Sequence, residues 1–293
     1  MSFLQKISRN NFFIRLFHWE YWPFGIVQFP SILYYLWLSM RERSLVFFSA
    51  CNPGIAMGAM FGESKFDVLK KIPNDYVPAT IRVQLPATTS MVLSIMARNG
   101  FAFPVIFKPD LGERGFMVRR IGAESDIDAY LREIKIDFLI QELVNLPCEF
   151  GIFYRKYPDH AKGEDVSVVT KEMLTVTGDG RSSLQDLIVK KDRAKLQWPR
   201  LRERFANRLD EIIATGCVVE LSHIGNHALG TKFMDGTHLI NQRLSEVFDN
   251  ISANIDGFYY GRLDIRCGSE ADLYSGNLRI MELNGCGAVP AHI

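Results

Sequence analysis

Several features that would have assigned this chain to a class at once are missing. There is no Cys-x-x-Cys pair; the five cysteines (Cys51, Cys148, Cys217, Cys267 and Cys286) are widely separated and odd in number. Neither a zinc site nor a disulfide framework is therefore indicated, and reduced thiols in a cytoplasmic protein are the expectation. No charge dominates: 34 basic and 33 acidic residues leave a formal net charge of +1, and the lysines and arginines are scattered. That pattern gives no electrostatic footprint for nucleic acid. The apolar run from Gly25 to Met40 holds Gln28 and Pro30 and is closed by Arg41, Glu42 and Arg43. It is shorter than the roughly 20 residues that cross a bilayer. The opening lacks a basic segment followed by a smooth apolar one, and no small-residue cleavage site follows, so no secretory leader is expected. Neither the Gly-x-x-x-x-Gly-Lys-Ser phosphate loop nor the Gly-x-Gly-x-x-Gly fingerprint occurs. Internal repeats and low-complexity tracts are also missing.

What is present is a globular composition, 47% hydrophobic and 23% charged over 293 residues, enough for more than one domain. Phe12, Phe13, Phe17, Trp19, Tyr21, Trp22 and Phe24 crowd together before the apolar run. Two readings of this segment stay open. One is a buried core helix with an aromatic wrap; the other is an interfacial helix with Trp and Tyr at headgroup level near Arg9, Arg15, Arg41 and Arg43. Farther on, short strand-like runs alternate with helical periodicity, which indicates α/β or α+β architecture. Strands are expected at Ser44–Ser49, Ala79–Leu85, Phe103–Lys108, Phe116–Ile121, Phe138–Val144, Glu149–Tyr154 and Val166–Val176. Helices are expected at Phe66–Lys71, Thr88–Arg98, Ala123–Ile134 with Ser125 as cap, 182–213, and Thr237–Ile255.

The end of the chain carries the most chemistry. Gly261-Arg262-Leu263-Asp264 is answered by Met281-Glu282-Leu283-Asn284, each at the end of an apolar strand-like run, with a polar turn at Cys267–Asn277 between them. Adjacent strands would bring Asp264, Glu282 and Asn284 to one point. Three hard oxygen ligands suit Mg²⁺, which fills its remaining positions with water and phosphate oxygens. Upstream, Lys108 ends a strand directly before Pro109-Asp110-Leu111-Gly112-Glu113-Arg114-Gly115. Glycines let backbone N–H groups approach an anion, and a lysine at the loop base adds a point charge.

In order along the chain stand Lys65, Lys108 with its glycine loop, Gln141-Glu142-Leu143-Val144, Glu149, Arg262-x-Asp264 and Glu282-x-Asn284. Taken together, over roughly residues 62–290, they resemble the ATP-grasp superfamily, and within it carboxylate–amine ligases such as D-alanine–D-alanine ligase. The resemblance implies an ATP-grasp fold of two α+β subdomains gripping ATP: a small one at 63–145 and a large one at 146–293, preceded by an aromatic-rich section at 1–62. It implies ATP with one or two Mg²⁺ ions (Mn²⁺ as an alternative), and a small-molecule or peptide carboxylate plus an amine as partners. Lys65 and Lys108 would grip the phosphates, and Gly112, Glu113, Arg114, Gly115 and Phe116 would close over them. The backbone of Glu142 and Val144 would meet adenine, with Gln141 beside its amino group, and Glu149 would meet the ribose. Asp264, Glu282 and Asn284 match the metal ligands, Arg262 the arginine on the transferred phosphoryl group, and Lys232 a further phosphate-side lysine. His223 and His227 are candidates for the acceptor pocket.

The sequence departs from the family pattern in three places. Gln141 stands where the family has an acid, though its amide still accepts a hydrogen bond. The section before Lys65 is shorter and more aromatic than the family's open α/β domain. The chain also stops at His292-Ile293, just past Gly285-Cys286-Gly287, where relatives run on, so a truncated or unusually short member is expected. The principal expectation is a ligase proceeding through an acyl phosphate, on an amino acid, a peptide or an envelope-related precursor. The alternatives are a kinase on the same scaffold, or a non-catalytic nucleotide-binding module at the membrane surface. The expected location is the cytoplasm, with peripheral contact at the inner membrane face under the interfacial reading.

Overall fold

The computed structural model describes residues 10–17, 22, 24–112, 115–222 and 230–288. Contacts divide the chain into two compact units, one of Met1–Phe47 with Glu172–Lys232, the other of Phe48–Lys171 with Phe233–Ile293. In chain order the strands are β1 (Thr80–Val83), β2 (Val105–Pro109), β3 (Arg119–Ile121), β4 (Phe138–Glu142), β5 (Cys148–Arg155), β6 (Glu164–Glu172), β7 (Thr175–Thr177), β8 (Val218–Glu220), β9 (Lys232–Asp235), β10 (Tyr260–Cys267) and β11 (Leu278–Asn284). They form a four-stranded sheet ordered β1-β4-β2-β3, a five-stranded sheet ordered β11-β10-β5-β6-β9, and the pair β7-β8. Pairing is antiparallel within the first sheet and along β11-β10-β5-β6. The mixed α+β class expected from the sequence is what is found.

Each of the larger sheets buries one face. In the four-stranded sheet Val83, Val105, Phe107, Phe138 and Ile140 pack with Val92 and Met96 of the helix Thr89–Arg98 and with Ile127 and Tyr130 of the helix Glu124–Glu133. In the five-stranded sheet Phe150, Ile152, Leu263, Ile265, Val168 and Leu283 pack with Leu244, Phe248 and Ile251 of the helix Gln242–Ala253. Side chains alternate across a strand, so the intervening residues of both sheets emerge on the opposite face. The polar site residues are among them. In the first unit Leu174, Val176, Leu184, Ile188 and Leu201 form a third, smaller core.

The segment before the second unit's first helix is held by one side chain. Asn52 is fully buried; its Nδ2 donates to the carbonyls of Gly58 and Tyr260, and its Oδ1 accepts from the amides of Tyr259 and Tyr260. It thereby fixes the start of β10, just before Arg262.

Several expected elements are corrected. Ser44–Ser49 is not a strand: Arg43 adopts φ 53°, the Ser44 amide closes on the Ser39 carbonyl, and the chain turns into a 3₁₀ helix at Phe47–Cys51. Val166–Val176 divides between β6 and β7, which lie in different sheets. Residues 182–213 hold three short helices, Leu184–Lys190, Asp192–Leu196 and Trp198–Arg204, and Pro199 takes the first turn of the last one, where its missing N–H costs nothing. The cap of Glu124–Glu133 is not Ser125; Asp126 reaches back to the amides of Gly122 and Ala123. Within Thr237–Ile255 a 3₁₀ turn at Thr237–Leu239 precedes the helix proper, which Asn241 caps. The turn between β10 and β11 contains a helix, Glu270–Ser275.

The apolar run forms a helix at Phe24–Arg41, with Pro30 inside it. It is not a core helix: Phe29, Leu33, Tyr34, Trp37 and Met40 are all exposed, Met40 at 72%. Its apolar residues occur on every side, so covering it would take neighbours all round. Among the described residues no helix is long and apolar enough to cross a membrane.

Candidate functional site

The polar face of the five-stranded sheet is built by period-2 alternation. On β10 Arg262, Asp264 and Arg266 point the same way, in register with Phe153, Gly151 and Glu149 of β5. On the other side Arg262 pairs with Asn284 and Asp264 with Glu282. The predicted acid pair and amide thus meet on adjacent strands, as the spacing required. Gly151 makes the arrangement fit: a Cβ there would lie 3.1 Å from Arg262 Cδ and 3.2 Å from Asp264 Oδ1. A glycine leaves the Arg262–Asp264 pair its space.

Asp264 is almost fully enclosed. Arg262 Nε donates to Oδ1 at 3.0 Å and Nη2 to Oδ2 at 3.1 Å; Asn284 Nδ2 donates to Oδ2 at 3.2 Å. Burial works to raise its carboxyl, but the Arg262 and Lys171 charges outweigh that and hold it below the ordinary carboxylate value. Arg262 in turn is raised, chiefly by the Asp264 charge. Glu149 lies one step along the face. Arg266 Nη2 reaches its Oε2 at 2.7 Å, while Lys171 Nζ reaches its Oε1 at 2.8 Å. Arg266 Nη1 also donates to the Val144 carbonyl at 3.1 Å.

The two predicted lysines reach this face from outside the five-stranded sheet. Lys65 opens the helix Lys65–Leu69, capped by Ser64. Asp110, next to Pro109, holds that helix start by accepting from the Phe66 amide and from Ser64 Oγ. Lys65 Nζ donates to the Gly112 carbonyl at 2.6 Å and pairs with Glu282 Oε1 at 3.0 Å. Lys108 on β2 is buried; its Nζ donates to Gln141 Oε1 at 3.0 Å and to the Met281 carbonyl at 3.2 Å. Burial pushes its ammonium down to about 8, against the opposing pull of Glu282.

Gln141 is engaged within the protein: its Oε1 accepts from Lys108 and its Nε2 donates to Thr80 Oγ1 at 2.9 Å, which leaves a second lone pair on the oxygen. The Glu142 amide donates to the Ala79 carbonyl at 2.9 Å. Gly112 and Gly115 have φ 137° and 71°, conformations open to glycine, and Phe116, between Gly115 and β3, is 68% exposed. Glu113, Arg114, His223 and His227 lie outside the described residues. Lys232 opens β9, half-buried, and falls in the other compact unit.

Two residues of the cluster were missed in the sequence, Lys171 and Arg266. The signal for Arg266 is the i, i+2, i+4 series with Arg262 and Asp264. For Lys171 it is a lysine inside an apolar strand run, where a charge has to find a partner.

Among the described residues no three His, Cys, Asp or Glu side chains gather as a metal cluster. The donor set is two carboxylates and an amide. It fits an ion that takes the rest of its oxygens from water and phosphate.

No family model and no curated protein matches the sequence. Among solved structures the chain is similar to VanG D-Ala:D-Ser ligase from Enterococcus faecalis, at 13% identity and TM-score 0.46, over 78% of this chain and 53% of that one. It is similar to D-alanine–D-alanine ligase from Bacillus anthracis at 13% identity and TM-score 0.45, over 82% and 62%. A third is the ATP-grasp ligase PsnB complexed with minimal precursor, at 15% identity and TM-score 0.40, over 77% and 52%. The chain thus spans between 52% and 62% of the length of these three. All three are named as ligases.

Proposed function

We propose that this chain is an ATP- and Mg²⁺-dependent ligase of ATP-grasp type, which activates a carboxylate as an acyl phosphate for attack by an amine. The observation that carries the reading is the meeting of Lys65, Lys108 and Arg262 with Asp264, Glu282 and Asn284 beside two antiparallel sheets. Cations and metal-type ligands packed this closely answer the needs of a triphosphate better than those of a neutral substrate.

A carboxylate is a poor acyl donor because its leaving group would be oxide. Its oxygen attacks the γ-phosphorus and ADP leaves. The amine nitrogen then attacks the acyl carbon, inorganic phosphate leaves as the C–O bond breaks, and loss of a proton from nitrogen gives the amide. Phosphoryl transfer asks the protein for positioning and for neutralisation of spreading negative charge. Lys108 and Lys65 would hold the phosphates and Arg262 the transferred group. The loop from Gly112 to Phe116 would exclude the water that hydrolyses the intermediate. Glu149 would accept from the ribose, and the hinge at Glu142–Val144 would meet the base. Asp264, Glu282 and Asn284 would hold the ion, which when bound neutralises phosphate charge. Lys232 stays the resemblance's candidate for a further phosphate-side lysine. The acid is an amino acid, a peptide or an envelope-related precursor.

The test is ADP release and hydroxamate formation when candidate acids are supplied with ATP, Mg²⁺ and hydroxylamine. Hydroxamate that depends on acid and ATP supports the ligase. A stable phosphorylated product without hydroxamate makes the protein a kinase, and nucleotide binding without turnover in any combination makes it a binding module.

A further inference from the structure

Lys171 stands at the end of β6 with its side chain only 6% exposed. A buried ammonium has to be compensated, and this one is shared. Its Nζ lies 2.8 Å from Glu149 Oε1 and 3.5 Å from Asp264 Oδ1. It therefore joins the carboxylate assigned to the nucleoside end to the carboxylate assigned to the metal end. Its four-carbon stem is flexible, whereas the planar fork of Arg262 grips Asp264 at both oxygens.

Both metal carboxylates are paired with cations. Asp264 carries Lys171 and Arg262, and Glu282 carries Lys65 at 3.0 Å. A bare divalent ion approaching these oxygens meets three cations and, among the described residues, no third acid in a metal-holding group. A polyphosphate reverses the balance, because its oxygens can take the lysines and share the ion at once. From these contacts we infer that Lys171 is a positioning residue that keeps Asp264 closed to a free cation and releases it when a nucleoside polyphosphate arrives. Divalent metal then enters only together with nucleotide. The inference rests on the nucleotide reading above and adds a residue and an order of binding to it.

Mn²⁺ serves as the probe, its uptake by the full chain followed by electron paramagnetic resonance with and without a non-hydrolysable ATP analogue. Wild type is expected to take up Mn²⁺ at least about tenfold more tightly with the analogue than alone, a coupling of ordinary allosteric size. Lys171→Met should take up Mn²⁺ without nucleotide and lose that coupling, while Lys171→Arg keeps it. Equal Mn²⁺ uptake by wild type with and without a bound analogue overturns the inference and leaves the nucleotide reading standing. So does a folded Lys171→Met that gains no uptake. If Lys171→Met does not fold, Lys171→Gln, which removes the charge but keeps a polar head, is read in its place with the same two outcomes. An analogue that does not bind at all removes the nucleotide reading and this inference with it.

Discussion

Lys108 Nζ donates to Gln141 Oε1 at 3.0 Å, so a buried cation is held by a neutral amide that is itself anchored on Thr80. Hydrogen bonds to charged groups contribute about 1.5–3 kcal/mol, and an orphaned partner adds to the cost. Gln141→Leu should therefore destabilise the protein by about 1–3 kcal/mol in urea titration. Gln141→Glu, which keeps an acceptor at the same place, should lose less. Equal loss in both variants would remove Gln141 as the support of Lys108.

The space at Gly151 is expected to matter more for the site than for the fold. A Cβ there crowds Arg262 and Asp264, not the hydrophobic core. Gly151→Ala should lower nucleotide turnover about tenfold, equivalent to about 1.4 kcal/mol in the barrier, while the melting temperature moves by only a few degrees. Gly151→Val should lower it further. Unchanged turnover in Gly151→Val would show that the Arg262–Asp264 geometry is not needed.

Asp165 should give stability a pH dependence of its own. Burial, with the Asp249 charge adding to it, pushes its carboxyl up to about 7. The unfolded value is about 3.9, so the folded state holds this proton more tightly. Its contribution is fully present below about pH 4, is lost as pH rises to about 7, and is flat above that. Asp165→Asn should abolish this slope and be more stable than wild type at pH 8, by about 1–3 kcal/mol. Parallel stability–pH curves for the two proteins would contradict the assignment.

The exposed helix Phe24–Arg41 ends in Arg41, whose guanidinium lies 5.7 Å from the Trp37 ring centroid. Aromatic side chains next to arginine favour a headgroup layer. Liposomes containing anionic lipid should carry wild type upward in flotation, and Trp22→Ala/Trp37→Ala should float less. Equal behaviour of the two proteins would rule out this surface as a bilayer contact.

Legibility in the sequence followed strand periodicity. Arg262, Asp264, Glu282 and Asn284 could be placed together because they fall at alternate positions of two apolar strands, and the register pairs Arg262 with Asn284 and Asp264 with Glu282. Lys108 was legible for the same reason, as the polar residue of an apolar strand. Lys171 was not, because Val166–Val176 looks like one strand until β6 and β7 are seen in different sheets. Asp110 escaped because its role is tertiary: it fixes the start of the helix that carries Lys65. The helix Phe24–Arg41 could not be assigned from pattern, since apolarity on all sides says nothing about which side is covered.

The most direct test is calorimetric titration of a non-hydrolysable ATP analogue with Mg²⁺ into wild type, Lys108→Met and Asp264→Asn. Saturable binding by wild type is expected, weakened at least about tenfold in each folded variant, equivalent to about 1.4 kcal/mol or more. Absence of binding by wild type, or equal affinity in all three, would contradict the nucleotide site.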